Sequence, residues 1–104
     1  MVWNWIAEFF GGAFLANAVP HFVNGISGRP FRTPFARLRG QAESSPVVNV
    51  LWGCLNVAAA WVLLWLVGGF QMHRLADVVA TGLGGLALAL VLAHAFGARR
   101  DEQS

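Results

Sequence analysis

The sequence predicts an all-α membrane protein: three transmembrane helices, a Pro/Arg-rich loop between the first two and a tight turn between the last two. Two observations carry this. Thirty consecutive residues between Glu43 and Arg74 lack Asp, Glu, Lys and Arg, and uncharged runs of 20 and 21 residues flank them, Phe9 to Gly28 and Val78 to Ala98. Roughly 20 apolar residues cross a hydrocarbon core as a helix, so each run suffices for one span. The composition agrees: 57% of residues are hydrophobic and 12% charged, against about 25% charged in soluble domains. A chain this short buries too little surface to hide so much apolar area from water.

The whole chain, 1–104, reads as a single integral membrane domain with spans at about 3–24, 47–70 and 75–96, a loop at 25–46 and a short tail at 97–104. Phe9 to Leu15 followed by Ala16-Asn17-Ala18 has the outline of a secretory signal. The residues before it carry Glu8 and no Lys or Arg, so the first helix is expected to be retained. In the connection that follows, Gly25, Gly28, Pro30, Pro34, Gly40 and Pro46 argue against a regular helix. Ser44-Ser45-Pro46 is a helix-start signal, a hydroxyl cap ahead of Pro at the first helical position. Gly68-Gly69 and the residues to Arg74 form a turn that makes spans two and three an antiparallel hairpin.

All seven basic residues are arginines. Arg29, Arg32, Arg37 and Arg39 occupy the first loop and Arg99 and Arg100 the tail, while the opposite side carries only Arg74. This bias places the loop and C-terminus in the cytoplasm and the N-terminus outside. Arginines in short loops between spans point to a membrane surface and not to nucleic acid. Arg29-Pro30-Phe31-Arg32 is echoed by Thr33-Pro34-Phe35-Ala36-Arg37. Each Phe suits the acyl boundary and each Arg a lipid phosphate, and guanidinium recognises phosphate or carboxylate bidentately. A topology signal alone also accounts for these arginines.

Within the spans, Asn17, His21 and Asn24 share one helix face, interrupted by Pro20, whose missing N–H leaves the Ala16 carbonyl without its helical donor. Asn49 and Asn56 share another with Gly53 and Ala60, and Trp61 and Trp65 lie opposite, toward lipid. Polar groups facing lipid are costly, so these should face one another or a cavity. The candidate ligand-binding set is Asn17, His21, Asn24, Arg29, Arg32, Asn49, Asn56 and His94; interhelical hydrogen bonding is the plainer alternative. Thr81, Gly85, Ala89 and Ala93 form a candidate helix-packing seam of small residues, with a second stripe at Ala80, Gly84 and Ala87. Glu8 and Asp77 are expected near the outer interface, within reach of headgroups or water.

Pro20-His21-Phe22, Gly25, Ser27-Gly28, Thr33-Pro34-Phe35 and Ser45-Pro46-Val47-Val48-Asn49 together resemble a group of small uncharacterised bacterial integral membrane proteins. The likeness covers about half the chain. It implies a bacterial inner-membrane protein and brings no catalytic residue with it.

Three functional classes fit. The foremost is an accessory or structural subunit of a membrane assembly, by self-association or within a larger complex, since no catalytic motif is present. The second is binding or transport of an anionic lipid or small metabolite at the cytoplasmic side. The third is a redox subunit with haem b between His21 and His94; no other cytochrome feature accompanies the two histidines, so no cofactor is expected. No metal site is expected either, for the sequence has one cysteine, Cys54, and no zinc-type cluster.

Overall fold

The computed structural model describes residues 2–103, with side chains from 2 to 98. Three of its helices are long and apolar enough to cross a membrane, Val2–Ile26, Pro46–Val67 and Leu75–Ala98. The chain runs α1 (Val2–Ile26), a short α2 (Pro34–Leu38), α3 (Pro46–Trp61) continuing as a π-helical turn (Val62–Val67), and α4 (Leu75–Gln103). The side chains of Arg99 and Arg100 lie outside the described residues.

Local chemistry sets each boundary. At the end of α1, Gly28 adopts φ of 73°, and Arg29 N–H donates to the Asn24 carbonyl while Gly28 N–H donates to that of Gly25. This paired closure needs the left-handed conformation that Gly adopts without strain. The helix runs through Pro20, and the Asn24 side chain donates to the Pro20 carbonyl at 2.7 Å. Ser45 caps α3 as its residue types predict: its hydroxyl accepts from Val48 N–H and Pro46 follows as the first helical residue.

The loop contains a helix where its prolines and glycines argued for none. Thr33 caps α2 by accepting from Ala36 N–H, and Pro34 opens it. This is the same Ser/Thr-Pro start used by α3. The π-helical turn was not anticipated either. There Gly68 N–H donates to the Leu63 carbonyl and Phe70 N–H to that of Leu64, which widens the helix at its end.

Helix α1 is the centre of the molecule. Both α3 and α4 pack along it and hardly touch one another, so the two spans joined by the tight turn do not form a packed pair. α3 runs antiparallel to α1, α4 parallel to it. Backbones approach through glycine: a methyl group at Gly25 would lie 2.7 Å from the Pro46 carbonyl, and one at Gly12 would overlap that of Thr81. Trp61, Trp65, Leu83, Leu86 and Leu90 point outward and are exposed, as side chains are when lipid and not water is the surrounding solvent.

Candidate functional site

At the end of the bundle where α1 meets the loop, one side chain organises everything around it. Asn49 is fully buried. Its Nδ2 donates to the carbonyls of Phe31 (3.0 Å), Ser44 (3.1 Å) and Ser45 (3.1 Å). Three acceptors on one side fix the amide's orientation, so Oδ1 faces His21 and accepts from its Nδ1 at 2.9 Å. The His21 ring is buried and meets Phe31 and Trp52 edge-on, with centroids 5.4 and 6.4 Å apart.

The loop is thereby folded back onto the bundle. Phe31 and Ser44 exchange backbone hydrogen bonds of 3.1 and 2.8 Å, and the Thr33 and Ser44 hydroxyls bond to each other beside them. Phe35 packs edge-on against Trp52, and Phe31 against Phe96 of α4, with centroids 5.1 and 4.9 Å apart. One turn deeper, Asn17 donates to Asn56 Oδ1 at 2.9 Å and Asn56 to the Trp52 carbonyl at 2.8 Å.

Of the predicted ligand-binding set, Asn17, His21, Asn49 and Asn56 thus bond to one another or to backbone. Asn24 serves the Pro20 carbonyl on its own helix. Arg29 is exposed and His94 is exposed, whereas Arg32 is half-buried. The polar face read from the first helix therefore ties helices together, and the arginines divide: Arg32 turns inward and Arg29 outward.

Two cavities adjoin this folded loop. One of about 520 Å³ lies between α2 and α3, with an apolar wall that includes Phe35, Val48, Trp52 and Leu55 and with Arg39 and Gln41 at its border. The other, about 360 Å³, lies against the end of α4 and is lined by Arg32, Arg37, Gln41, Ala42, Ala95 and Phe96. The Arg32 guanidinium sits 5.9 Å from the Phe96 ring centroid, and its Nη1 is buried with no hydrogen-bond partner among the described residues. Gln41 lines both cavities. Arg37 and Gln41 were not among the predicted site residues; the signal was the Thr-Pro helix start, which swings Arg37 back toward Arg32.

Comparison with known protein families, with curated proteins and with solved structures finds no match. Function has to be read from the geometry.

The candidate packing seam is used at one end only. Thr81 and Gly85 meet Gly12 of α1, and Gly84 makes the tightest approach, against the Phe9 carbonyl. Ala89 and Ala93 are exposed and border a shallow groove beside Ala16 and Pro20. Among the described residues no group of three or more His, Cys, Asp or Glu side chains converges as a metal site.

The expectation for Glu8 and Asp77 is corrected. Both are buried, Glu8 with no exposed surface and Asp77 with 3%. The reason is the helix arrangement: α1 is covered on two sides, so a residue one and a half turns into it is enclosed by the end of the π-helical turn and the start of α4.

Proposed function

We propose that this protein is a small multi-pass protein of the bacterial inner membrane that binds an anionic lipid at its loop, on the cytoplasmic face, with the N-terminus outside. The carrying observation is the pair Arg32 and Arg37 lining one cavity, with a buried Arg32 N–H that has no partner among the described residues. A buried donor without an acceptor costs about 1–3 kcal/mol, which a phosphate oxygen would recover. The adjoining apolar cavity shares Gln41 and offers aliphatic and aromatic walls to an acyl chain. Lipid binding is preferred to the subunit role because the closest approaches of α4, at Thr81, Gly84 and Gly85, are used within the chain, against α1.

Native mass spectrometry with phosphatidylglycerol and phosphatidylcholine tests the site. Replacing both Arg32 and Arg37 by Gln should weaken retention of the anionic lipid roughly 30-fold, at about 1 kcal/mol per charge. Arg29→Gln, outside the cavity, should retain it. Equal retention by all three proteins would reduce the loop to a topology signal.

Orientation is tested separately. Reporter fusions at positions 42 and 104 should report from the cytoplasm, and fusions at positions 1 and 72 from outside, following the arginine bias. A cytoplasmic signal at 72 would reverse the assignment.

A further inference from the structure

The opposite end of the bundle carries a second polar group. Glu8 lies roughly 9 Å along α1 from Val2, at 1.5 Å per residue. It has no exposed surface, and neither carboxyl oxygen has a hydrogen-bond partner among the described residues. Parallel packing brings Asp77 of α4 to the same level, for Thr81, one turn after Asp77, meets Gly12, one turn after Glu8. As carboxylates both groups only accept hydrogen bonds, so nothing joins them unless a positive charge lies between.

The surroundings are partly satisfied. Asp77 Oδ2 is held by Arg74 Nε at 2.9 Å and by Gln71 N–H at 3.0 Å. Arg74 also donates to the Gly69 carbonyl at 2.6 Å, and Asn4 to that of Gly68 at 3.0 Å. From the π-helical turn, Glu8 meets no charged residue: Gly68 abuts it, where an added methyl would lie 2.9 Å from Glu8 Cγ. Thr81 lies one turn beyond Asp77, and its Oγ1 is buried with no hydrogen-bond partner among the described residues. Side chains on a helix lean toward its N-terminus, which inclines Thr81 to the Asp77 level.

Two carboxylates and one guanidinium leave one uncompensated negative charge. An ion at membrane depth without compensation is costly by several kcal/mol. We propose that Glu8 and Asp77, with the Thr81 hydroxyl, form a membrane-embedded binding site for one monovalent cation, H⁺ or Na⁺. The unpartnered oxygens of Glu8 are its principal ligands, and Arg74 holds Asp77 in place.

Dicyclohexylcarbodiimide, an apolar reagent that adds to protonated carboxyls, tests this on the full-length protein in mild detergent, with the adduct located by peptide mass spectrometry. Glu8 should be modified and the more exposed Glu43 should not. If Na⁺ is the occupant, Na⁺ at about ten times its Kd should lower labelling about tenfold by mass action, while choline does not. If the occupant is a proton, labelling should fall as pH rises and be indifferent to Na⁺. Glu8→Gln, a neutral near-isostere, should abolish the rise of melting temperature with Na⁺ where Na⁺ is the occupant, and should reduce the dependence of melting on pH where a proton is. Absence of Glu8 labelling in folded wild-type protein at every pH from acid to alkaline, with no effect of Na⁺ on melting, would overturn the proposal. So would equal labelling of Glu8 and Glu43.

Discussion

Asn49→Leu should destabilise the protein by about 2–4 kcal/mol and release the loop from the bundle. The substitution keeps the branched shape and removes the side-chain hydrogen bonds that tie Phe31, Ser44 and His21 to α3. His21 Nδ1–H loses its acceptor at a buried position, a penalty of about 1–3 kcal/mol. The carbonyls of Phe31 and Ser44 keep one partner each through their mutual backbone bonds, which limits the loss there. What disappears is the link between that bridge and the helices. Hydrogen exchange should therefore rise across residues 30–45 and stay unchanged along α1 and α4, and the melting temperature in detergent should fall. Asn49→Asp should be worse, since it turns a carboxylate oxygen toward three carbonyls. Unchanged exchange in Asn49→Leu would mean that the aromatic contacts of Phe31 and Phe35 alone hold the loop.

Much of this arrangement was legible in the chain, and the parts that were not have specific physical reasons. The spans follow from charge-free runs because the bilayer excludes charge over a fixed thickness. The buried stripe Asn49, Gly53, Asn56 and Ala60 follows from helical periodicity, and all four residues are buried. The Ser45-Pro46 start was recognised, whereas Thr33-Pro34 was masked by the surrounding breakers although the chemistry is identical. The π-helical turn left no trace, for Val62–Val67 is uniformly apolar and nothing in it distinguishes the two ladders.

The arginine loop shows where spacing ends and tertiary structure begins. Charge density marked the loop as an arginine-rich edge, yet which arginine turns inward depends on α2 and on Phe96, some 60 residues away in sequence. The burial of Glu8 was missed for a related reason. Its position near a span end suggested an interface, but burial depends on how many neighbours cover the helix, and α1 is the one helix with two.

Gly84→Ala should cost the α1–α4 interface about 3 kcal/mol or more, the largest effect of any single methyl group along α4. The added carbon would overlap the Phe9 carbonyl. That obstacle is backbone, with no rotamer to escape into, so the helices must separate along their shared length. Overpacking costs typically 1–3 kcal/mol, and close helix approach is a principal source of stability in a bilayer. Two neighbours serve as controls on the same turn. At Gly85 the methyl meets the Gly12 carbonyl at 3.4 Å, an ordinary contact, and Gly85→Ala should be nearly neutral. At Gly82 nothing lies within 4 Å, and Gly82→Ala should stabilise by roughly 0.5–1 kcal/mol through helix propensity. The order reflects helix phase: a four-residue step advances about 40° beyond a full turn at 3.6 residues per turn, so the stripe from Thr81 through Ala93 rotates off the contact that Gly84 occupies. Thermal unfolding of the three variants in one detergent should rank them Gly82→Ala, Gly85→Ala, Gly84→Ala from most to least stable. A Gly84→Ala protein as stable as Gly82→Ala would place α4 against lipid at that turn and leave Asp77 and Glu8 without the contact that brings them together.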